Sequence, residues 1–299
     1  MTCGCAEKEY KGTLKDFRQK VEQGLELYLP KLNTRPLHLH KAMHYSMKAG
    51  GKRLRPILLI AASELYPSDD EALAASVALE CIHTYSLIHD DLPSMDDSDL
   101  RRGQPSCHKQ FDEATAILAG DALLTYAFEL ISREYAATPE LALKLIQELS
   151  QASGSQKLIG GQMEDVLAEA SGANKKELDF IHANKTAALL QASLCMGILL
   201  SSAPEGTLTE ARTLGYHLGM AFQIVDDILD LTGDEGLLGK KTGLDQQRAK
   251  ATYPALYGLD AAKKAAKSHT QAALDVCENL GGKNSFLKSL VSQLLNRAY

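Results

Sequence analysis

Between Phe180 and Ser202 the chain reads FIHANKTAALLQASLCMGILLSS, which is apolar on most faces of a helix. A helix without a polar side is stable in water only if other elements surround it. This stretch therefore predicts a central helix with a shell of further helices. The rest of the chain can supply that shell, since 45% of its 299 residues are hydrophobic. No segment shows a convincing strand alternation, and apolar residues recur at helical spacing from about Thr13 to Leu32 (Leu14, Phe17, Val21, Leu25). Helices are likewise expected from Pro56, after the capping residues of YPSDDEA, after RRGQPS and ATPEL, across IGGQMEDVLAEA, after SGANKKEL, and over EARTLGYHLGMAFQIVDDILDLTGD. The expected fold is all-α: one large helical bundle over residues 1–299, with 1–12 a disordered tail.

Composition excludes several function classes. A net charge of −6 argues against a broad nucleic-acid or anionic-membrane surface. No apolar run is expected to reach membrane-spanning length, and the N-terminus lacks a signal peptide's apolar stretch. Six irregularly placed cysteines do not resemble a disulfide framework, and Cys3 and Cys5 are expected in the exposed tail rather than on a metal. A cytoplasmic, reducing location without membrane insertion follows as the expectation.

Two acidic clusters carry the chemistry. In LIHDDLPSMDDSDLRRG, five carboxylates fall between Asp90 and Asp99, directly after a core-like run. Leu79, Ile82, Ser86 and Asp90 stack on one helical stripe, and Pro93 then lets Asp96 or Asp97 swing toward Asp90. Carboxylates repel one another, so holding them together calls for a cation. Hard oxygen donors at loose spacing suit Mg²⁺, which commonly bridges to phosphates. A solvated acidic helix end is the plain alternative. The second cluster, FQIVDDILD, shifts the balance: Asp226 and Asp230 lie at i and i+4 among Ile224, Val225, Ile228 and Leu229. Two such helices suit opposite walls of a cavity holding Mg²⁺ ions and a phosphate-bearing substrate.

Cations follow the same logic. GGKRLRP places Lys52, Arg53 and Arg55 before a helix N-terminus, where backbone amides also favour anions. Arg101 and Arg102 follow the first acidic cluster. Lys185, the odd residue of the apolar stretch, needs a partner or must snorkel. Lys240 and Lys241 lie in a Gly- and charge-rich connection suited to a lid or to plain solvation. His83, on bare spacing, reads as a core histidine.

Taken together, DDLPSMDDSDLRRG, FQIVDDILD, GGKRLRP, NKT (Asn184 to Thr186) and LGKKTG resemble the trans-isoprenyl diphosphate synthases, most nearly the bacterial farnesyl type, over about residues 10 to 299. That resemblance implies a helical bundle around a deep cavity, as a homodimer, acting on isoprenyl diphosphates. It implies Mg²⁺ at Asp90, Asp96 and Asp226, three ions per site with Mn²⁺ as a substitute, supported by Asp91, Asp97, Asp227 and Asp230. It assigns Arg101, Lys185 and Lys240 to the allylic diphosphate and Lys52, Arg55, His83 and Arg102 to isopentenyl diphosphate. Lys185, Thr186 and Gln223 would line the reaction centre. Tyr85 and Ser86, one turn or so above Asp90, would limit product length, and a bulky Tyr85 suits a C15 product. A geranylgeranyl synthase, a terpene cyclase, a metal phosphohydrolase using His89 and Asp90, and a non-catalytic helical subunit are the competing readings.

Overall fold

A computed structural model describes residues 3–232 and 251–295. Helices account for nearly all of its regular structure: α1 Cys3–Tyr28, α2 Leu37–Lys48, α3 Leu54–Ser63, α4 Leu73–Asp90, α5 Cys107–Gln110, α6 Glu113–Glu134, α7 Pro139–Ser153, α8 Leu158–Ser171, α9 Lys175–Ile181, α10 Ala187–Leu199, α11 Thr207–Thr232, α12 Tyr253–Tyr257, α13 Leu259–Asn279 and α14 Ser285–Leu295. The all-α expectation holds.

The apolar stretch becomes α10, and it is surrounded. Leu189, Ala192 and Met196 join a core cluster with α4, α6 and α7. Leu190, Leu194, Cys195 and Ile198 join a second cluster with α3, α11, α13 and α14. All seven are buried, and each buried Leu, Ile or Met contributes about 1.5–3 kcal/mol relative to exposure. Two cores thus need one helix without a wet face.

Several boundaries differ from expectation. Residues 3–12 are helical in α1 rather than a disordered tail, and Tyr10 is buried against Phe286 with ring centroids 5.5 Å apart. The YPSDDEA residues do not cap α4: Ser68 instead donates to the carbonyls of Leu200 and Asp70, and α4 starts at Leu73 without a side-chain cap. The helix expected after SGANKKEL begins inside it, because Asn174 accepts from the Lys176 and Glu177 amides while Glu177 accepts from the Asn174 amide. α6 is long and apolar enough to span a membrane by length and composition, contrary to the sequence expectation, yet its Leu123, Leu130 and Ile131 are fully buried in the bundle. The cysteines at 81, 107, 195 and 277 are buried free thiols.

Candidate active site

The first acidic stretch forms a tight loop at the end of α4. The Asp96 amide donates to the Asp90 carbonyl (2.8 Å), and the Asp97 and Ser98 amides donate to Leu92 and Asp91 (3.0 and 3.1 Å). Asp90 and Asp96 are thereby brought to one end of the helix. Asp97 turns elsewhere: its carboxylate, like that of Asp99, faces Lys109. Asp91 is buried and engaged by Arg101, whose Nη2 lies 2.5 Å from Oδ1 and whose Nε lies 3.1 Å from both oxygens. Asp91, then Asp90 and Asp96, stabilise the Arg101 guanidinium, outweighing its burial and raising its pKa.

The sign reversal after the acids has a structural cause. Leu100–Arg101 pairs antiparallel with Gln104–Pro105, which no strand pattern in the sequence announced. A two-residue turn joins them, with φ of 56° at Arg102 and 78° at Gly103, as a tight hairpin requires. The turn delivers the Arg102 guanidinium to the Gly50 carbonyl. A Cβ on Gly51 would sit 2.5 Å from that guanidinium carbon, so the glycine permits the approach. Among the described residues, the non-glycine positions with positive φ are Arg53, Asp97 and Arg102, all within these acidic and basic stretches. Strain gathered in one place is a mark of function.

Beside this turn lies a cluster of basic side chains. Arg55 Nη1 stands 3.4 Å from His83 Nε2, and the Arg55 Nε is buried without a hydrogen-bond partner. Burial, with Arg102 nearby, pushes Arg55 down to about 10, and burial with Arg55 and Arg102 holds His83 well below the usual histidine range. His83 is therefore neutral and accepts from Arg55. Lys52 sits exposed on the same loop. Arg53, by contrast, is consumed structurally: it is buried and bonds Glu22 (2.8 Å), Glu80 (2.9 Å) and the Met47 carbonyl (2.6 Å). Arg53 thus neutralises Glu22 and Glu80, whereas Arg55 keeps a buried Nε without a hydrogen-bond partner, which an anion would relieve.

The second group is built around a π-helical turn, His182–Thr186, between α9 and α10. Such turns recur at functional sites because they re-aim side chains. Here α8 approaches so closely that a Cβ on Gly161 would lie 2.3 Å from the Lys185 amide nitrogen. Lys185 finds the partner it needed in Asp165 of α8, 2.6 Å away. Thr186 Oγ1 donates to Gln223 Oε1 (2.8 Å), and Gln223 Nε2 donates to Asp227 Oδ1 (2.9 Å). Asp227 and Asp230 are buried, while Asp226 is partly exposed on the same helix.

Apolar residues tie the two groups together, since Ile82, Tyr85 and Ile88 of α4 share one core cluster with Leu189 and Ala192 of α10. Tyr85 is buried, and its phenol, close to Asp90, is pushed up to about 12, chiefly by burial. Ser86 donates to the His83 carbonyl. Lys240 and Lys241 lie outside the described residues. Asp165 and His182 were missed from sequence: neither belongs to an acidic or basic run, and only the approach of α8 and α11 gives them a role. Among the described residues no three His, Cys, Asp or Glu side chains gather closely enough to cage a metal.

A model of the polyprenyl synthetase family matches residues 36–289. The chain belongs to the polyprenyl synthetase family. Within it, a farnesyl diphosphate synthase of Bacillus subtilis is 44% identical over 284 residues, covering 94% of both chains. Geranylgeranyl pyrophosphate synthase 9 of Arabidopsis thaliana, a chloroplast protein, is also 44% identical, over 256 residues that cover 83% of this chain and 70% of the plant protein. The fold matches a geranyltransferase from Helicobacter pylori, solved with magnesium and isoprenyl diphosphate, at a TM-score of 0.81 and 36% identity, over 95% of this chain and 96% of that one.

Proposed function

We propose that this polyprenyl synthetase condenses isopentenyl diphosphate head-to-tail with dimethylallyl and then geranyl diphosphate, releasing pyrophosphate and farnesyl diphosphate. The observation that carries this reading is the presence of two separately built cationic positions, Arg55–Arg102 beside His83 and Lys185 beside Thr186. Two diphosphate-bearing substrates need two such positions.

The donor set fits a hard divalent cation. Asp90, Asp96 and Asp226 supply hard carboxylate oxygens on α4, its following loop and α11, and their neighbours Asp91 and Asp227 bond Arg101 and Gln223. These three would hold Mg²⁺, three ions with Mn²⁺ as a substitute, and the ions would supply Lewis acidity toward the departing pyrophosphate. Lys185, Arg101 and Lys240 bind the allylic diphosphate and stabilise the charge that builds as its C–O bond breaks. Lys52, Arg55, His83 and Arg102 hold isopentenyl diphosphate so that its double bond faces the allylic carbon. The bond between the two forms from that double bond, and the proton lost afterwards passes to pyrophosphate. Thr186 and Gln223 turn oxygen dipoles toward the developing positive charge. Apolar α4 and α10 surfaces exclude water, which would otherwise capture the cation.

Tyr85 is the floor that stops growth at C15. The similarity to the plant geranylgeranyl synthase keeps C20 as the second reading, and the size of residue 85 separates them. A phosphohydrolase centred on His89 is disfavoured, because the His89 Nε2 faces the Ile117 carbonyl of α6 at 3.1 Å. We place the enzyme in the cytoplasm as a single-domain homodimer. Ile117 and Leu118, 44% and 57% exposed on α6, suit a subunit interface. Analytical ultracentrifugation tests the dimer.

The deciding experiment incubates purified full-length chain with Mg²⁺, geranyl diphosphate and isopentenyl diphosphate. The expected result is isopentenyl-dependent pyrophosphate release, a C15 product, and no turnover in EDTA. Pyrophosphate release without isopentenyl diphosphate, or hydrolysis of simple phosphoesters, would overturn the assignment.

A further inference from the structure

Asp227 stands in the middle of the second acidic motif, yet its surroundings differ from those of a metal ligand. It is 4% exposed. Its Oδ1 accepts from Gln223 Nε2 at 2.9 Å, and its Oδ2 accepts from the Tyr253 backbone amide at 2.8 Å. His182 Nε2, on the π-helical turn, lies 3.4 Å from the same Oδ2. Three elements (α11, α12 and the π turn) thus converge on one carboxylate, and each presents a nitrogen to it.

This arrangement has a directional consequence. Both Asp227 oxygens act as acceptors here, one from the Gln223 amide and the other from the Tyr253 backbone N–H. Asp227 therefore forces the NH₂ end of the Gln223 amide toward itself and the carbonyl end toward Thr186. The carbonyl can only accept, so the Thr186 hydroxyl must donate its single proton to Gln223 Oε1, 2.8 Å away. Thr186 is left with lone pairs and no proton for a substrate.

We infer that Asp227 is a positioning residue. It sets the polarity of the Asp227–Gln223–Thr186 chain so that Thr186 presents an electron-rich oxygen to the allylic carbon instead of donating to diphosphate. The inference rests on the reaction proposed above and deepens it. In an allylic ionisation such an oxygen favours the developing cation, whereas a hydroxyl turned the other way would disfavour it.

The test compares Asp227→Asn, Thr186→Val, their double variant and Asp226→Asn in the full-length chain. In Asp227→Asn the replacement side chain can offer either an amide or a carbonyl to Gln223, so the polarity is no longer enforced. The expected result for Asp227→Asn is a kcat about 10- to 100-fold lower, with the isopentenyl diphosphate KM within about twofold of wild type. The double variant should be no slower than Thr186→Val alone, because the two residues act through one chain. Calorimetric titration with Mg²⁺ and inorganic pyrophosphate gives a readout apart from turnover: Asp227→Asn binds within about threefold of wild type, while Asp226→Asn loses at least about tenfold.

Equal losses of pyrophosphate binding in Asp226→Asn and Asp227→Asn would make Asp227 a metal ligand and overturn the inference, as would additive kinetic effects of Asp227→Asn and Thr186→Val. Gln223→Glu guards against poor folding of the Asp227 variant. Its protonated acid reproduces the amide's polarity, so its activity relative to wild type should rise as pH falls; a constant ratio would count against the chain. Wild-type protein without isopentenyl-dependent product would sink the proposed reaction instead. Polarity would then be read from melting temperatures, where additive Thr186→Val and Asp227→Asn shifts would reject it.

Discussion

The Lys185 ammonium and the Asp165 carboxylate lie 2.6 Å apart, pinning the π-helical turn to the middle of α8 with side chains only 24% and 16% exposed. Removing the acid leaves a mostly buried ammonium without its counter-charge. Asp165→Ala is expected to lower stability by about 1–3 kcal/mol in urea denaturation. The deficit should shrink when Mg²⁺ and pyrophosphate are present, because a phosphate oxygen can take the carboxylate's place. A deficit unchanged by pyrophosphate would show that Lys185 does not meet the anion.

Arg53 belongs to the basic GGKRLRP run but serves the fold. Its side chain is fully buried, and Glu80, its partner at 2.9 Å, is 2% exposed. Arg53→Ala would strand Glu80 in the core and cost about 3–5 kcal/mol. Where the variant is kept folded at low temperature, its isopentenyl diphosphate KM should change less than that of Arg55→Ala. The reverse order would move Arg53 into the substrate site.

Tyr85 separates packing from hydrogen bonding. Its hydroxyl is buried with no hydrogen-bond partner, while its ring packs near His89, with centroids 5.8 Å apart. Tyr85→Phe should leave the C15 product unchanged and be neutral or stabilising by up to about 1 kcal/mol. Tyr85→Ala opens the floor and should yield products beyond C15, read by chromatography of the dephosphorylated alcohols. Unchanged C15 output from Tyr85→Ala would refute the floor.

His217 and His269 join α11 to α13 through facing Nδ1 atoms 2.9 Å apart, so one ring donates and the other accepts. Burial lowers both pKa values; His217 lowers His269 further, and Asp179 partly offsets this, while the Tyr216 ring packs against both. His182 is lowered to about 4 by burial. Below about pH 6.5 the unfolded chain binds protons that these native histidines refuse, so stability is full above that pH and is lost as pH falls toward 4. Each histidine contributes at most about 1.4 kcal/mol per pH unit, less for the two partly exposed rings. The melting temperature should fall between about pH 7 and pH 5, and more gently in His217→Gln/His269→Gln. Parallel profiles for variant and wild type would exclude the pair as a source of acid lability.

Much of this was legible in the chain. Helical spacing announced the bundle, and the unbroken apolar stretch of α10 announced that something must surround it, because local periodicity follows from which faces are wet. The paired aspartate runs and GGKRLRP marked candidate residues for the site, because charge concentrated beside apolar helix is costly and therefore conspicuous. What the chain did not disclose is how neighbours divide roles within a run. Arg53 and Arg55 differ by two positions, yet one neutralises buried glutamates and the other stands beside His83. Asp226 and Asp227 are adjacent, yet one is partly exposed and the other accepts from Gln223 and Tyr253. Asp165 looks like an ordinary acid of an amphipathic helix until α8 meets the π turn. A residue's type and spacing follow from local chemistry, but its partners come from distant segments, and only the packing of those segments chooses which charge is satisfied and which remains for a substrate.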